Sequence, residues 1–145
     1  MPESTQNFEN HTRWVPTYHY VLAPIVLINL IWSLYKVVVD FSADRVMGLL
    51  LSVGFLLLFY HSRQFAKTVQ DRVIRLEMRL RLERILPPDL RARINDFTLK
   101  QLIALRFASD AELPDLAKKV LNENLTDGTA VKRMIRNWQP DLLRV

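Results

Sequence analysis

The chain has 145 residues and a mass of 17.0 kDa, room for one compact domain or for a membrane hairpin with a modest soluble part. Half of its residues are hydrophobic and 24% are charged, with a mean hydropathy of +0.03, which is too apolar for a disordered tail and demands that the charges be segregated. The absence of cysteine excludes disulfide frameworks, thiolate metal centres and cysteine nucleophiles, and three glycines leave no phosphate-cradling loop of the usual kind.

No Asp, Glu, Lys or Arg lies between Arg13 and Lys36, and residues 20–39 (YVLAPIVLINLIWSLYKVVV) match the roughly 20 residues that a bilayer-spanning helix requires. A second uncharged stretch, 46–62 (VMGLLLSVGFLLLFYHS), is slightly short, with Asp44 and Arg45 placed to reach into the headgroups. Two helices apolar on every face are more than a soluble chain of this size can surround, so both are read as transmembrane. Only residues 40–45 (DFSADR) separate them, which makes an antiparallel hairpin with both chain ends on one side, and Ser42 is placed to cap the second helix. An N-terminal signal peptide is not expected, because Glu3 and Glu9 precede a lone Arg13 and no small-residue cleavage site follows.

Charge orients the hairpin. The segment after the second span carries Arg63, Lys67, Arg72, Arg75, Arg79, Arg81 and Arg84, whereas the turn has Arg45 as its one cation, so the positive-inside rule places segment 1–19 and everything beyond residue 62 in the cytoplasm. Trp14, Tyr18, Tyr20, Phe59 and Tyr60 then fall near the inner boundary, and Trp32, Tyr35 and Phe41 near the outer one. Residues 63–86 contain no Gly or Pro and continue the second span as a basic helix until Pro87-Pro88 stops it. Residues 87–145 read as a small cytoplasmic domain of short helices: about 89–97, 99–106, one opened by a Ser109/Glu112 capping box, and one ending near Trp138. The fold class is therefore all-α.

The strings QNFENH, QDRVIRLEMRLRL (70–82), QLIALRFASDAEL (101–113) and the terminal WQPDLLRV together resemble an uncharacterised bacterial family of small two-span inner-membrane proteins, a domain of unknown function. The resemblance extends over nearly the whole chain and implies a bacterial inner-membrane location, which makes the turn at 40–45 periplasmic. It implies no activity, ligand or catalytic residue.

Candidate chemistry is sparse. His11, His19 and His61 lack the i,i+3 or i,i+4 spacing of a local metal site, and no serine sits in a nucleophile elbow, so no catalytic residue, metal or cofactor is expected and the chain is not read as an enzyme. The pairs Asp71/Arg75, Glu77/Arg81 and Arg79/Glu83 are spaced to support an exposed helix. Between Arg63 and Arg93 nine cations face four anions; the positive-inside pattern accounts for them without nucleic acid, and anionic lipid is the expected partner of Arg63 and Lys67. Asn29, Gly48 and Ser52 are the expected interhelical packing positions.

Past the second span, Phe65, Val69, Val73, Leu76 and Leu80 line one stripe of the helix, and Ile74, Met78, Leu82 and Ile85 a nearly opposite one. The C-terminal helices can cover one stripe. The other has the 4-3-4 spacing of a coiled-coil seam (Val69, Val73, Leu76, Leu80) and predicts a homo-oligomer. The sequence thus points to a membrane-anchored interaction or scaffold module with an unknown protein partner; the alternative is a small oligomeric transport or channel subunit, with Asn29 and Pro24 as the exceptions in its first span.

Overall fold

The computed structural model describes residues 6–11 and 14–141. Among them the fold is all-α, with one isolated β-bridge, Ala108 to Trp138, in place of any strand. The chain divides into two compact units, one of residues Arg13–Lys67 and one that joins Met1–Thr12 to Thr68–Val145.

In the first unit, six residues of π-helix (Thr17–Leu22) lead into α1 (Ala23–Val39). Pro24 causes the change of pitch: it has no amide to give the Tyr20 carbonyl and its ring crowds that turn, so the preceding residues widen to i→i+5 bonding, with the Ala23 amide reaching Tyr18. Helix α1 ends at Asp40, whose φ of −145° leaves the helical region. Ser42 caps α2 (Ala43–Ile85), as its position predicts, with Oγ accepting from the Arg45 amide at 3.4 Å, and Arg45 pairs with Asp40 at 2.7 Å across the turn. Contacts between the segments run in reverse order: Tyr18 stacks on Phe59 with ring centroids 4.4 Å apart, and Ser33 meets Ser52 at 2.7 Å. The helical run Thr17–Val39 and α2 are each long and apolar enough to cross a membrane, by length and composition.

Helix α2 is unbroken for 43 residues and stops where Pro87-Pro88 requires, since the residue before a proline is driven to extended backbone (Pro87, ψ 158°) and Pro88 is suited to open α3 (Pro88–Arg91). In the second unit, Ile74, Met78 and Leu82 of α2 are buried, Leu82 completely, and form one wall of a core that also takes Leu102 and Leu105 of α4 (Leu99–Leu105), Leu113 and Val120 of α5 (Leu113–Asn122), and Val131 of α6 (Gly128–Arg133). Thr98 and Gln101 form a capping box at the start of α4, and the buried Gln101 side chain also donates to the Leu125 carbonyl at 2.9 Å. Asn124 holds a φ of 47°, so the Leu125 amide reaches back to the Val120 carbonyl and closes α5 in a Schellman turn, in which Asn substitutes for the usual glycine. Asp127 caps α6 through the amides of Thr129 and Ala130.

Three sequence expectations change here. The helix expected over 89–97 divides into α3 and a 3-10 turn, Ile94–Asp96. The Ser109/Glu112 box forms only in half: Glu112 accepts from the Ser109 amide at 3.4 Å, but α5 starts later, at Leu113, and the Ser109 hydroxyl has no partner among the described residues. The Glu112 carboxylate also accepts from the amides of Arg136 and Asn137, which explains why the last helix ends at Arg133 and not near Trp138: those amides are drawn out of helical bonding and into a turn that leads to the bridge with Ala108.

Candidate functional site

The expected packing positions of the first unit converge on Ser52, which is 2% exposed and, with Val26, the most buried side chain there. Its Oγ lies 2.6 Å from Asn29 Oδ1, 2.9 Å from the Gly48 carbonyl and 2.7 Å from Ser33 Oγ. The Ser52 hydroxyl has one proton, which it gives to Asn29 or the Gly48 carbonyl; Ser33 is then the donor to Ser52. Ser33 is the member that sequence reasoning missed, although it stands four residues from Asn29 and therefore on the same helical face. Gly48 is a correction: a Cβ there would meet nothing within 4 Å, so it admits no close helix in this unit and contributes only its carbonyl. At the other end, the Arg63 guanidinium lies over the Tyr18 ring, 5.1 Å from its centroid, while Lys67 is exposed.

The two stripes of α2 differ as their opposite placement predicts. Ile74 and Met78 are 5% and 3% exposed, and Leu82 is fully buried. Val69, Val73, Leu76 and Leu80 are 48–62% exposed, and Phe65 continues that face at 67%. Four medium-to-large apolar side chains in 12 residues of one helix face form a contiguous patch of the sort that marks an interaction surface.

The α2 cations also depart from expectation. None of the pairs Asp71/Arg75, Glu77/Arg81 and Arg79/Glu83 closes to an ion pair among the described residues; Arg81 and Arg84 instead turn to Asp110, at 2.6 and 3.9 Å. Arg81 also donates to the carbonyls of Arg106 and Ala108 and to Gln139 Oε1, so it ties α2 to both sides of the β-bridge. A cleft of about 510 Å³ opens beside it, lined by Glu77, Met78, Arg81, Arg106 and Gln139 through Asp141. Arg106 pairs with Asp141 there at 3.1 Å.

The ends of the described chain meet in this same unit. Gln6 and Asp141 exchange hydrogen bonds, Gln6 Oε1 accepting from the Asp141 amide at 2.7 Å, and the His11 ring packs between Phe8, Phe107 and Trp138, with its Nε2 3.1 Å from Lys132 Nζ. Phe107 and Trp138 stack with centroids 4.6 Å apart, and residues 6–11 and 138–141, distant in sequence, are neighbours in space. Sequence reasoning had no signal for this pairing, because single aromatic contacts between irregular segments have no period.

No curated protein and no solved structure matches the chain. A family model does, over residues 1–145, and the chain accordingly belongs to the family of unknown function DUF6526.

Proposed function

We propose that the protein is a membrane-anchored interaction module: α1 and the first part of α2 cross the bacterial inner membrane as a hairpin, and the remainder forms a cytoplasmic helical domain that self-associates. The observation that carries this reading is the division of labour along α2, whose first half exposes large apolar side chains such as Leu51, Leu57 and Leu58 and whose second half buries one apolar stripe while leaving Val69, Val73, Leu76 and Leu80 in the open. An even number of crossings is supported by the contacts of residues 6–11 with residues 132–141, since segments that touch lie on the same side of a bilayer. The cation excess after residue 62 assigns that side to the cytoplasm, and Arg63 and Lys67 meet anionic headgroups there.

The test is the oligomeric state of the full chain in detergent micelles, measured by light scattering. The parent protein is expected to be oligomeric, and Leu76→Asp to yield a smaller species with unchanged helix content, because a carboxylate in an apolar seam has no partner. Leu82→Asp, inside the subunit core, loses helix instead. A parent chain that is monomeric at high concentration overturns the proposal.

A further inference from the structure

We infer that two copies pair in parallel and in register along Val69–Leu80, with Arg72 of each copy salt-bridged to Glu77 of the other. This rests on the self-association reading and adds what that reading leaves open: the number of strands, their direction and their register.

The direction follows from anchoring. Copies inserted in one membrane with the same topology present α2 with the same polarity, so an α2–α2 contact between them is parallel. Register then follows from the spacing. With Val69 and Leu76 at heptad position d, Val73 and Leu80 fall at a, and the central layers combine a β-branched residue at a with leucine at d, the pattern of two-stranded parallel coils. The faces do not compete, for Ile74, Met78 and Leu82 occupy positions b, f and c, where each subunit's own domain covers them.

Charge supplies the independent support for a second copy as the occupant. In a parallel pair, a residue at g meets the residue five positions later on the other chain, at e; Arg72 is at g and Glu77 at e. Both are exposed, and neither enters an ion pair among the described residues. The symmetry of the pair makes this contact twice. The next such combination, Arg79 with Arg84, is like-charged, and Glu83 occupies the following d position, so the zipper ends at Leu80. Arg84, 3.9 Å from Asp110, already has an acidic neighbour within its own subunit.

The chain has no cysteine, so a single introduced thiol reports its own partner without background. The full chain in reconstituted bilayers is oxidised with Val73→Cys, Leu76→Cys or Arg75→Cys, and circular dichroism verifies that each variant keeps its helix. In-register pairing sets each seam residue against itself, so the first two variants are expected to cross-link at least tenfold more than Arg75→Cys, which is exposed but off the seam. Glu77→Arg is expected to weaken dimerisation about tenfold by setting arginine against Arg72, and Arg72→Glu in the same chain to restore it. Light scattering that shows a dimer, with cross-linking no stronger at the seam or with no rescue by the double variant, overturns the parallel register and leaves self-association standing. A monomer by light scattering overturns both and assigns the stripe to lipid.

Discussion

Replacing Arg81 by leucine tests whether this side chain holds the domain together through the backbone or through its ion pair. Arg81 is 16% exposed and donates at 2.6 Å to the Ala108 carbonyl, 3.1 Å to that of Arg106, 2.9 Å to Gln139 Oε1 and 2.8 Å to Asp110 Oδ1. Leucine keeps part of the aliphatic stem but leaves two carbonyls without their donor, at about 1–2 kcal/mol each, while the ion pair to the half-exposed Asp110 contributes at most about 1 kcal/mol, for a total of about 2–5 kcal/mol. Trp138 gives a local readout, because it stacks on Phe107 beside the network and the other two tryptophans, Trp14 and Trp32, lie in the first unit and can be changed to phenylalanine. Urea unfolding of the full chain in micelles, followed by Trp138 emission, is expected to show the full loss for Arg81→Leu and no more than about 1 kcal/mol for Asp110→Asn. Equal losses for the two variants, or a loss under about 1 kcal/mol for Arg81→Leu, would refute the assignment to backbone anchoring.

Gly128→Ala is expected to lower the same unfolding midpoint, since a Cβ there would sit 3.3 Å from the Lys100 carbonyl and α6 would have to back away from α4, whereas Gly48→Ala, with nothing within 4 Å, leaves the fold intact and favours its helix by up to about 1 kcal/mol. The Thr129 amide foremost, then that of Ala130, holds the Asp127 carboxyl below its ordinary range. Its folded value is thus the lower one, so the cap's contribution is present at neutral pH and is lost as the pH falls from about 4 through the depressed value; the stability gap between the parent and Asp127→Asn should narrow across that window, and a gap that widens on acidification would be inconsistent with the cap. A periplasm-active reporter fused after Val145 should be silent, and one inserted at Phe41–Ala43 active; the reverse pattern would remove the basis of the cytoplasmic assignment.

What was legible in the sequence was whatever has a period or a hard stop. Ile74, Met78 and Leu82 repeat every four residues and are buried, and their counterparts on the opposite face are exposed, because a helix converts spacing directly into facing. Pro87-Pro88 ends α2 by sterics alone, and Ser42 caps it by local geometry. The failures share the opposite character. Glu112 was read as a local cap but is shared with amides 24 and 25 residues away, and Arg81 was paired with Glu77 by spacing but turns to partners 25–58 residues distant. Arg81 is drawn away from Glu77 by two backbone carbonyls in a partly buried place, and Glu112 adds two distant amides to the local one it keeps; no pattern along the chain announces either. Of the polar cluster in the first unit, Asn29 is legible as a polar exception within an apolar run and Ser52 as a packing position by its spacing from Gly48, while Ser33 and the exposed state of Gly48 are decided by which faces of the helices meet.

The joining of residues 6–11 to the far end of the chain also fixes an order of events in biosynthesis. Gln6 and His11 are synthesised before their partners Asp141 and Trp138, and at about 5–20 residues per second the interval is roughly 6–25 s. Throughout it, the two long apolar helices are being made while the surface that Gln6 and His11 pack against does not yet exist. Closure of this contact is therefore a late event, and a ribosome stalled short of Trp138 would hold a nascent chain with both apolar helices made and residues 6–11 still open to proteases and chaperones.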